Sequence, residues 1–275
     1  MIVKKAEIEQ LSEDIRRIID GQAVDLRDNL EGRLSILKND IHTLAGRLSE
    51  QADNLQKEKN ALSDTLADIS HQLKTPLTAM MVMVDLLDGA PPDKSAEFIL
   101  NIKQGLTQTE WLVSSLLKMA KLDSGSVVFN LTKASVSSLL EAALRPLKVL
   151  LEIKNQKVEL TGETTLVCDK NWTAEALTNI IKNASEHSPD GSTIEITTES
   201  NPIANSIRIT DKGSGLTPAD TKAAFLRFGD SKHGVGIGLP LALAIMQRQN
   251  GDLEIDPGGQ SGGATLTMKF YSSSL

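Results

Sequence analysis

An imidazole, His71, sits in the run Ser70-His71-Gln72-Leu73-Lys74-Thr75-Pro76-Leu77. Ile69 and Leu73 belong to an apolar helical seam. His71 lies two residues from each, about 200° round the helix at ~100° per residue, so it faces solvent. An exposed histidine is commonly an inert surface group. Pro76 changes that expectation. A proline inside a helix removes one hydrogen bond, costs about 3 kcal/mol and frees the carbonyl one turn back, here Gln72 beside His71. A local bend next to an exposed imidazole is a place for docking. Imidazole is neutral for much of the population near pH 7 and is a competent nucleophile.

Four pieces downstream share a second chemical theme. Asn179 and Asn183 are spaced i, i+4 in Asn179-Ile180-Ile181-Lys182-Asn183-Ala184, so both amides share one helix face. An amide oxygen is a hard ligand that suits Mg²⁺ beside phosphates, although such a pair is also an ordinary solvated face. Asp211-Lys212-Gly213-Ser214-Gly215 follows a strand-like run. An Asp there can accept from an exocyclic amine, and the glycines let backbone approach a flat base. Gly234-Val235-Gly236-Ile237-Gly238-Leu239-Pro240 opens a helix, as phosphate-cradling backbone does. It lacks the preceding strand of a dinucleotide fingerprint. Gly262-Gly263-Ala264-Thr265 reads by itself as an ordinary turn before a strand.

The elements that must carry these residues change character near Gly125. Before it the chain has five glycines and three prolines, which implies long helices. Ile8, Leu11, Ile15 and Ile18 step by three and four, and Gly21 to Gly32 interrupts. A second seam runs from Leu34 through Leu48, Leu62 and Leu73 to Leu87, with a period near 3.5. A turn at Asp88 to Asp93 leads to a further helix ending near Asp123. Two antiparallel helices of this length cannot bury both faces alone, and a dimeric four-helix bundle is the natural solution. After Gly125, β-rich runs (127–130, 157–160, 165–168, 193–197, 206–210, 264–270) alternate with helical ones (136–151, 172–187, 239–249). The expected architecture is multidomain: an all-α helical hairpin, then an α+β sandwich.

Composition narrows the function classes. Of 275 residues only eight are aromatic and the net charge is −7, so nucleic-acid binding is disfavoured. A single cysteine, Cys168, excludes an internal disulfide and fits a reducing compartment. The longest strongly apolar stretch, 79–87, is far short of the ~18 residues of a spanning helix.

Taken in this order, the histidine run and the glycine and asparagine motifs resemble a sensor histidine kinase of the two-component type. The likeness covers about Leu62 to Tyr271, with a dimerisation and histidine-phosphotransfer hairpin before a Bergerat-type ATP-binding domain. The first helices, with Asp28-Asn29-Leu30-Glu31-Gly32 between them, resemble a HAMP-type relay; a plain coiled coil is the other reading. The implied domains are 1–52 relay helices, 53–125 hairpin and 126–275 ATP-binding domain.

The resemblance implies roles. His71 would attack the γ-phosphate of ATP and pass the phosphoryl group to an aspartate of a response regulator. Asn183 would hold Mg²⁺, Asn179 would lie near the phosphates, and Asp211 would bind the adenine amine. Gly213 and Gly215 would shape the base pocket. Gly234, Gly236, Gly238 and Leu239 form the second glycine box, whose glycines would shape the phosphate lid. His187 would stack on adenine, and Lys182 or Arg227 would neutralise phosphate. Thr75 would position a water in a phosphatase reaction. A homodimer is implied, as is a cytoplasmic portion fed by a membrane-tethered sensor ahead of Met1 or by a partner.

Two departures stand out. Gln72 occupies the place of an acidic residue and cannot act as a base at neutral pH, although it can fix the imidazole tautomer. Only Gly229 to His233 separates Phe228 from Gly234, a short lid. Both support an alternative reading as a non-catalytic or phosphatase-dominant nucleotide-binding scaffold. A gyrase- or chaperone-type ATPase is disfavoured, because it has no use for a histidine before Lys-Thr-Pro on a bundle helix.

Overall fold

The computed structural model describes residues 5–20, 22, 24–27, 33–227, 236–258 and 262–271. The chain divides into two units, 1–67 and 68–275. In the first lie α1 (Lys5–Ile19) and the opening of α2 (Arg33–Leu87). Leu11 and Leu26 are buried there. The Arg27 guanidinium grips Asp25 with two 2.8 Å bonds, holding that carboxyl well below the usual range. The HAMP-like residues Asp28 to Gly32 lie outside the described residues.

Helix α2 continues unbroken through Pro76 to Leu87, as the seam predicts. Gly89 turns the chain at φ 80°, a conformation glycine adopts without a Cβ penalty. Helix α3 (Pro92–Asp123) then returns, with Pro92 in its first turn. Its last turns leave the hairpin: Met119 and Leu122 join the core of the sheet domain. The Leu122 carbonyl accepts from Arg248 at 2.5 Å, and Lys118 pairs with Glu175 at 2.7 Å. A cation at a helix C-terminus complements the helix dipole.

The sheet domain holds β1 (Thr132–Ser135), α4 (Val136–Leu144), α5 (Lys148–Ile153), β2 (Lys157–Thr161), β3 (Thr165–Cys168), α6 (Lys170–His187), β4 (Thr193–Ser200), β5 (Ala204–Thr210), α7 (Pro218–Ala223), α8 (Gly238–Arg248), β6 (Gly251–Asp256) and β7 (Thr265–Tyr271). Strands β1 and β3 form a small antiparallel pair, and the main sheet runs β2-β4-β5-β7-β6 with only β2 and β4 parallel. Alternation sets its two faces. Ile194, Ile196, Ile207, Ile209, Leu266 and Met268 point into the core with α6 and α8. The other face carries ion pairs such as Lys269–Glu254 and Lys212–Glu195.

Helix α6 matters most for the site. Asp169 caps it, its Oδ1 accepting from the Asn171 and Trp172 amides at 3.0 and 3.1 Å. Leu177, Ile180, Ile181 and Ala184 form its buried stripe. Pro189 pushes Ser188 into extended backbone and stops the helix.

Three sequence expectations change. Residues 127–130 form no strand, because the Asn130 amide donates to Asp169 Oδ2 at 2.9 Å and Phe129 lies 5.8 Å from the Trp172 ring. That anchoring moves the first strand to Thr132. The helix expected over 136–151 is broken by a 3-10 turn at Arg145–Leu147, since Pro146 cannot donate to the ladder. Strand β6, bearing Asp252, Glu254 and Asp256, was not expected; the run is short and rich in the poor strand formers Gly and Asp, and Leu253 alone is fully buried. Truncation of Ile181 to alanine should cost the sheet domain about 2–5 kcal/mol, read as a lowered denaturant midpoint.

Candidate functional site

His71 is exposed on α2, as its spacing predicts. Thr75 Oγ donates to the His71 carbonyl at 3.1 Å, which ties the hydroxyl back onto the helix. Leu73 faces the other way. It packs, with Trp111 and Leu116, against the buried pair Leu112 and Ile237. Ile237 is the N-cap residue of α8, inside the glycine run that opens that helix. The helix bearing His71 is therefore packed onto the start of α8.

The two asparagines of α6 sit differently. Asn179 is 3% exposed, and its Nδ2 donates to the Glu175 carbonyl at 2.8 Å. Its Oδ1 is buried without a hydrogen-bond partner among the described residues. A buried amide oxygen left unpaired costs free energy, so it marks a place meant for a partner. A Cβ on Gly238 would approach that oxygen to 3.2 Å, so the orphan atom abuts the first turn of α8. Asn183 is half-buried one turn on. His187 is exposed in the last turn of α6.

Asp211 follows β5 and is 3% exposed. Its Oδ1 accepts from the Gly213 amide at 2.8 Å and the Ala264 amide at 3.0 Å. The Asp211 amide donates to the Ala264 carbonyl at 3.0 Å. One carboxylate oxygen thus fixes two loops, and the other has no partner among the described residues. The glycines are required by space. A Cβ on Gly213 would come within 2.8 Å of the His187 carbonyl, and one on Gly263, at φ 81°, would collide with the Asp211 carbonyl. Gly215 turns at φ 73° beside the Pro257 carbonyl. The Gly262–Gly263 turn, ordinary in sequence, is thus a wall of the Asp211 site; only its pairing across 53 residues reveals this.

Two cations read from sequence as phosphate ligands have other partners in this structure. Lys182 Nζ lies 3.7 Å from the centre of the Trp111 ring and 3.7 Å from Glu186 Oε1. Burial pushes the Glu186 carboxyl up, with Lys182 and His187 pulling it back. Arg227 grips Asp123 in a two-pronged pair, both bonds 2.8 Å. Both cations are thus engaged with α3 or with their own helix. Leu239 is buried in the core. Gly236 turns at φ 67°, whereas Gly234 and the short lid from Phe228 to Val235 lie outside the described residues. Those described contain no cluster of three metal-ligating side chains, and no helix long and apolar enough to cross a membrane.

Comparison with known proteins accounts for both halves of this arrangement. Residues 61–125 match the His Kinase A (phospho-acceptor) domain, and residues 168–273 match the family described as histidine kinase-, DNA gyrase B- and HSP90-like ATPase. The chain belongs to the sensor histidine kinases. Among curated relatives, the heme sensor protein HssS of Staphylococcus saprophyticus is 26% identical over 85% of this chain and 52% of its own length. The sensor-like histidine kinase SenX3 of Mycobacterium tuberculosis is 26% identical over 80% of this chain and 56% of its own. The chain therefore spans about half the length of these kinases. Its fold is that of the histidine kinase AdeS of Acinetobacter baumannii, with TM-score 0.60 at 20% identity over 74% of this chain and 98% of that one. It is also that of the kinase ThkA, solved in complex with the response regulator protein TrrA, with TM-score 0.65 at 16% identity over 82% and 66%.

The kinase fold predicts a sharp dependence on Gly263. Substitution by alanine should add ~1–3 kcal/mol of backbone strain at the Asp211 loop, a roughly ten- to hundredfold loss of ATP affinity by calorimetric titration.

Proposed function

We propose that the chain is an ATP-dependent protein-histidine kinase that phosphorylates His71 and passes the phosphoryl group to an aspartate of a response regulator. The observation that carries this reading is the exposed His71 on a helix whose Leu73 packs with Ile237 at the glycine-bounded start of α8. A nucleophile and a nucleotide-type loop thus meet through one small apolar cluster. The overall fold agrees with that of ThkA, whose complex with a response regulator supports a partner of that kind.

The residues divide the chemistry as follows. Asp211, with one carboxylate oxygen unpartnered among the described residues, accepts the adenine amine, and Gly213 and Gly215 admit the base. His187 stacks on it. The buried Asn179 Oδ1 and the amide of Asn183 face the polyphosphate, with Asn183 holding Mg²⁺. Mg²⁺ keeps its waters and phosphate ligands and needs no all-carboxylate cage, so an amide pair without an acidic cluster fits it. When bound, the ion neutralises phosphate charge. His71 then forms an N–P bond as the bond from the γ-phosphorus to the β,γ-bridging oxygen breaks, ADP leaves, and the imidazole proton passes to solvent. Gln72 orients the ring by accepting its N–H. Alignment and charge neutralisation suffice for such a transfer.

Leu77, Met81, Val84, Leu106, Val113 and Leu117 are exposed apolar positions on the hairpin. A second copy covers them in a four-helix bundle. A charge at Leu117, which is 60% exposed in the single chain, should convert dimer to monomer in light scattering without unfolding the sheet domain.

A second reading, a phosphatase-dominant scaffold, is favoured by Gln72 and by the engagement of Lys182 and Arg227 elsewhere. Mg²⁺ and γ-labelled ATP separate the two. The kinase should acquire acid-labile, alkali-stable label that His71→Gln abolishes. ATP binding without label would favour the scaffold.

A further inference from the structure

Gln156 lies outside every motif above, yet it is 7% exposed and both ends of its side chain are bonded. It sits between Asn155, a left-handed residue at φ 49°, and the first residue of β2. Its Nε2 donates to the carbonyls of Ser185, Ser188 and Pro189 at 3.1, 3.2 and 3.1 Å. Its Oε1 accepts from Ser185 Oγ at 2.5 Å. Lys154 Nζ reaches the Ser185 and Ser188 carbonyls as well. These are the carbonyls that a helix end leaves without intrahelical partners. The backbone adds two rungs, Gly191 amide to Lys154 carbonyl at 2.8 Å and Lys157 amide to Ser192 carbonyl at 3.1 Å.

The held segment leads directly to the base end of the pocket. Ser188 is 4% exposed, and its Oγ accepts from the Lys212 amide at 3.1 Å. Lys212 follows Asp211, and Gly213 lies against the His187 carbonyl. A continuous line of contacts therefore runs from Gln156 to Ser188, to the Lys212 amide, to the Asp211 carboxylate. At the other end of α6 a second buried glutamine, Gln249, does a comparable job. Its Oε1 accepts from the Asp169 amide at 2.6 Å, next to the N-cap, far from the base end.

We propose that Gln156 is a positioning residue for adenine recognition, fixing the Asp211 carboxylate relative to α6 through Ser188. The inference rests on the nucleotide reading of the site. It makes base selectivity a property of the α5–β2 turn, a segment that touches no nucleotide. Loss of the Gln156 donors leaves the 188–190 segment held by Lys154 and the backbone rungs alone, and the Ser188 hydroxyl that accepts from the Lys212 amide is less firmly placed. Asp211 then no longer meets the 6-amino group in a fixed geometry.

The test compares binding of ATP with binding of purine riboside triphosphate, which lacks the 6-amino group, by calorimetric titration of the full chain, Gln156→Leu and Ser188→Ala. The wild-type chain should prefer ATP. Both variants should lose about tenfold of that preference, with affinity for the analogue held. A purely structural role would weaken both ligands in parallel, and would overturn the proposal. Should Gln156→Leu fail to fold, Ser188→Ala decides by itself, since it removes only the Lys212 acceptor. A wild-type chain that binds both ligands equally, or neither, would instead overturn the adenine reading of Asp211 and this proposal with it.

Discussion

A helix can present a rigid polar face only if its opposite face is buried and both of its ends are satisfied. Helix α6 meets both conditions, and the site is arranged around it. Leu177, Ile180 and Ile181 are almost wholly removed from water, and burial of each is worth about 1.5–3 kcal/mol. Asp169 and Gln249 complete its start, and Gln156 and Lys154 its end. The polar face that remains carries Asn179, Lys182, Asn183 and Glu186. The orphaned oxygen of Asn179 is tolerable only because the helix around it is over-determined.

The Asp211 loop depends on the same constraint. Its carboxylate gathers the Gly213 and Ala264 amides, so the loops after β5 and before β7 move as one piece. Ser188 joins that piece to α6. The residues proposed to meet base and phosphate are thus both referred to one helix, which is the geometry an extended nucleotide needs. Glycine is required where backbone meets backbone, at Gly213 and Gly263.

The hairpin meets this domain through charge and aromatic contact as well as apolar packing. Arg227 with Asp123 and Lys182 with Trp111 are partly exposed pairs, of a kind worth at most ~1 kcal/mol each at the surface. Such contacts orient surfaces without locking them. The apolar contribution comes from Ile237 and Leu112, with Leu73 against them, and from Met119 and Leu122 in the core of the sheet domain.

What could be read from sequence is what has a local period or a local spacing. The exposure of His71, the shared face of Asn179 and Asn183, and the place of Asp211 at a strand end follow from helical and strand repeats within a few residues. The long helices followed from the scarcity of glycine and proline. Strand β6 escaped, because its alternation spans only Asp252 to Asp256 and its Gly251, Asp252 and Asp256 are poor strand formers. The site's assembly was decided by tertiary structure alone. Asp211 finds Ala264 across 53 residues, and Arg227 finds Asp123 across 104. Gln156 looks like any polar turn residue until the α5–β2 turn is laid against the end of α6. Amino-acid type and spacing specify which bonds a residue can make. Which partner fills them is set when sheet and helices pack, because burial compels each polar group to be satisfied by whatever the fold brings within reach.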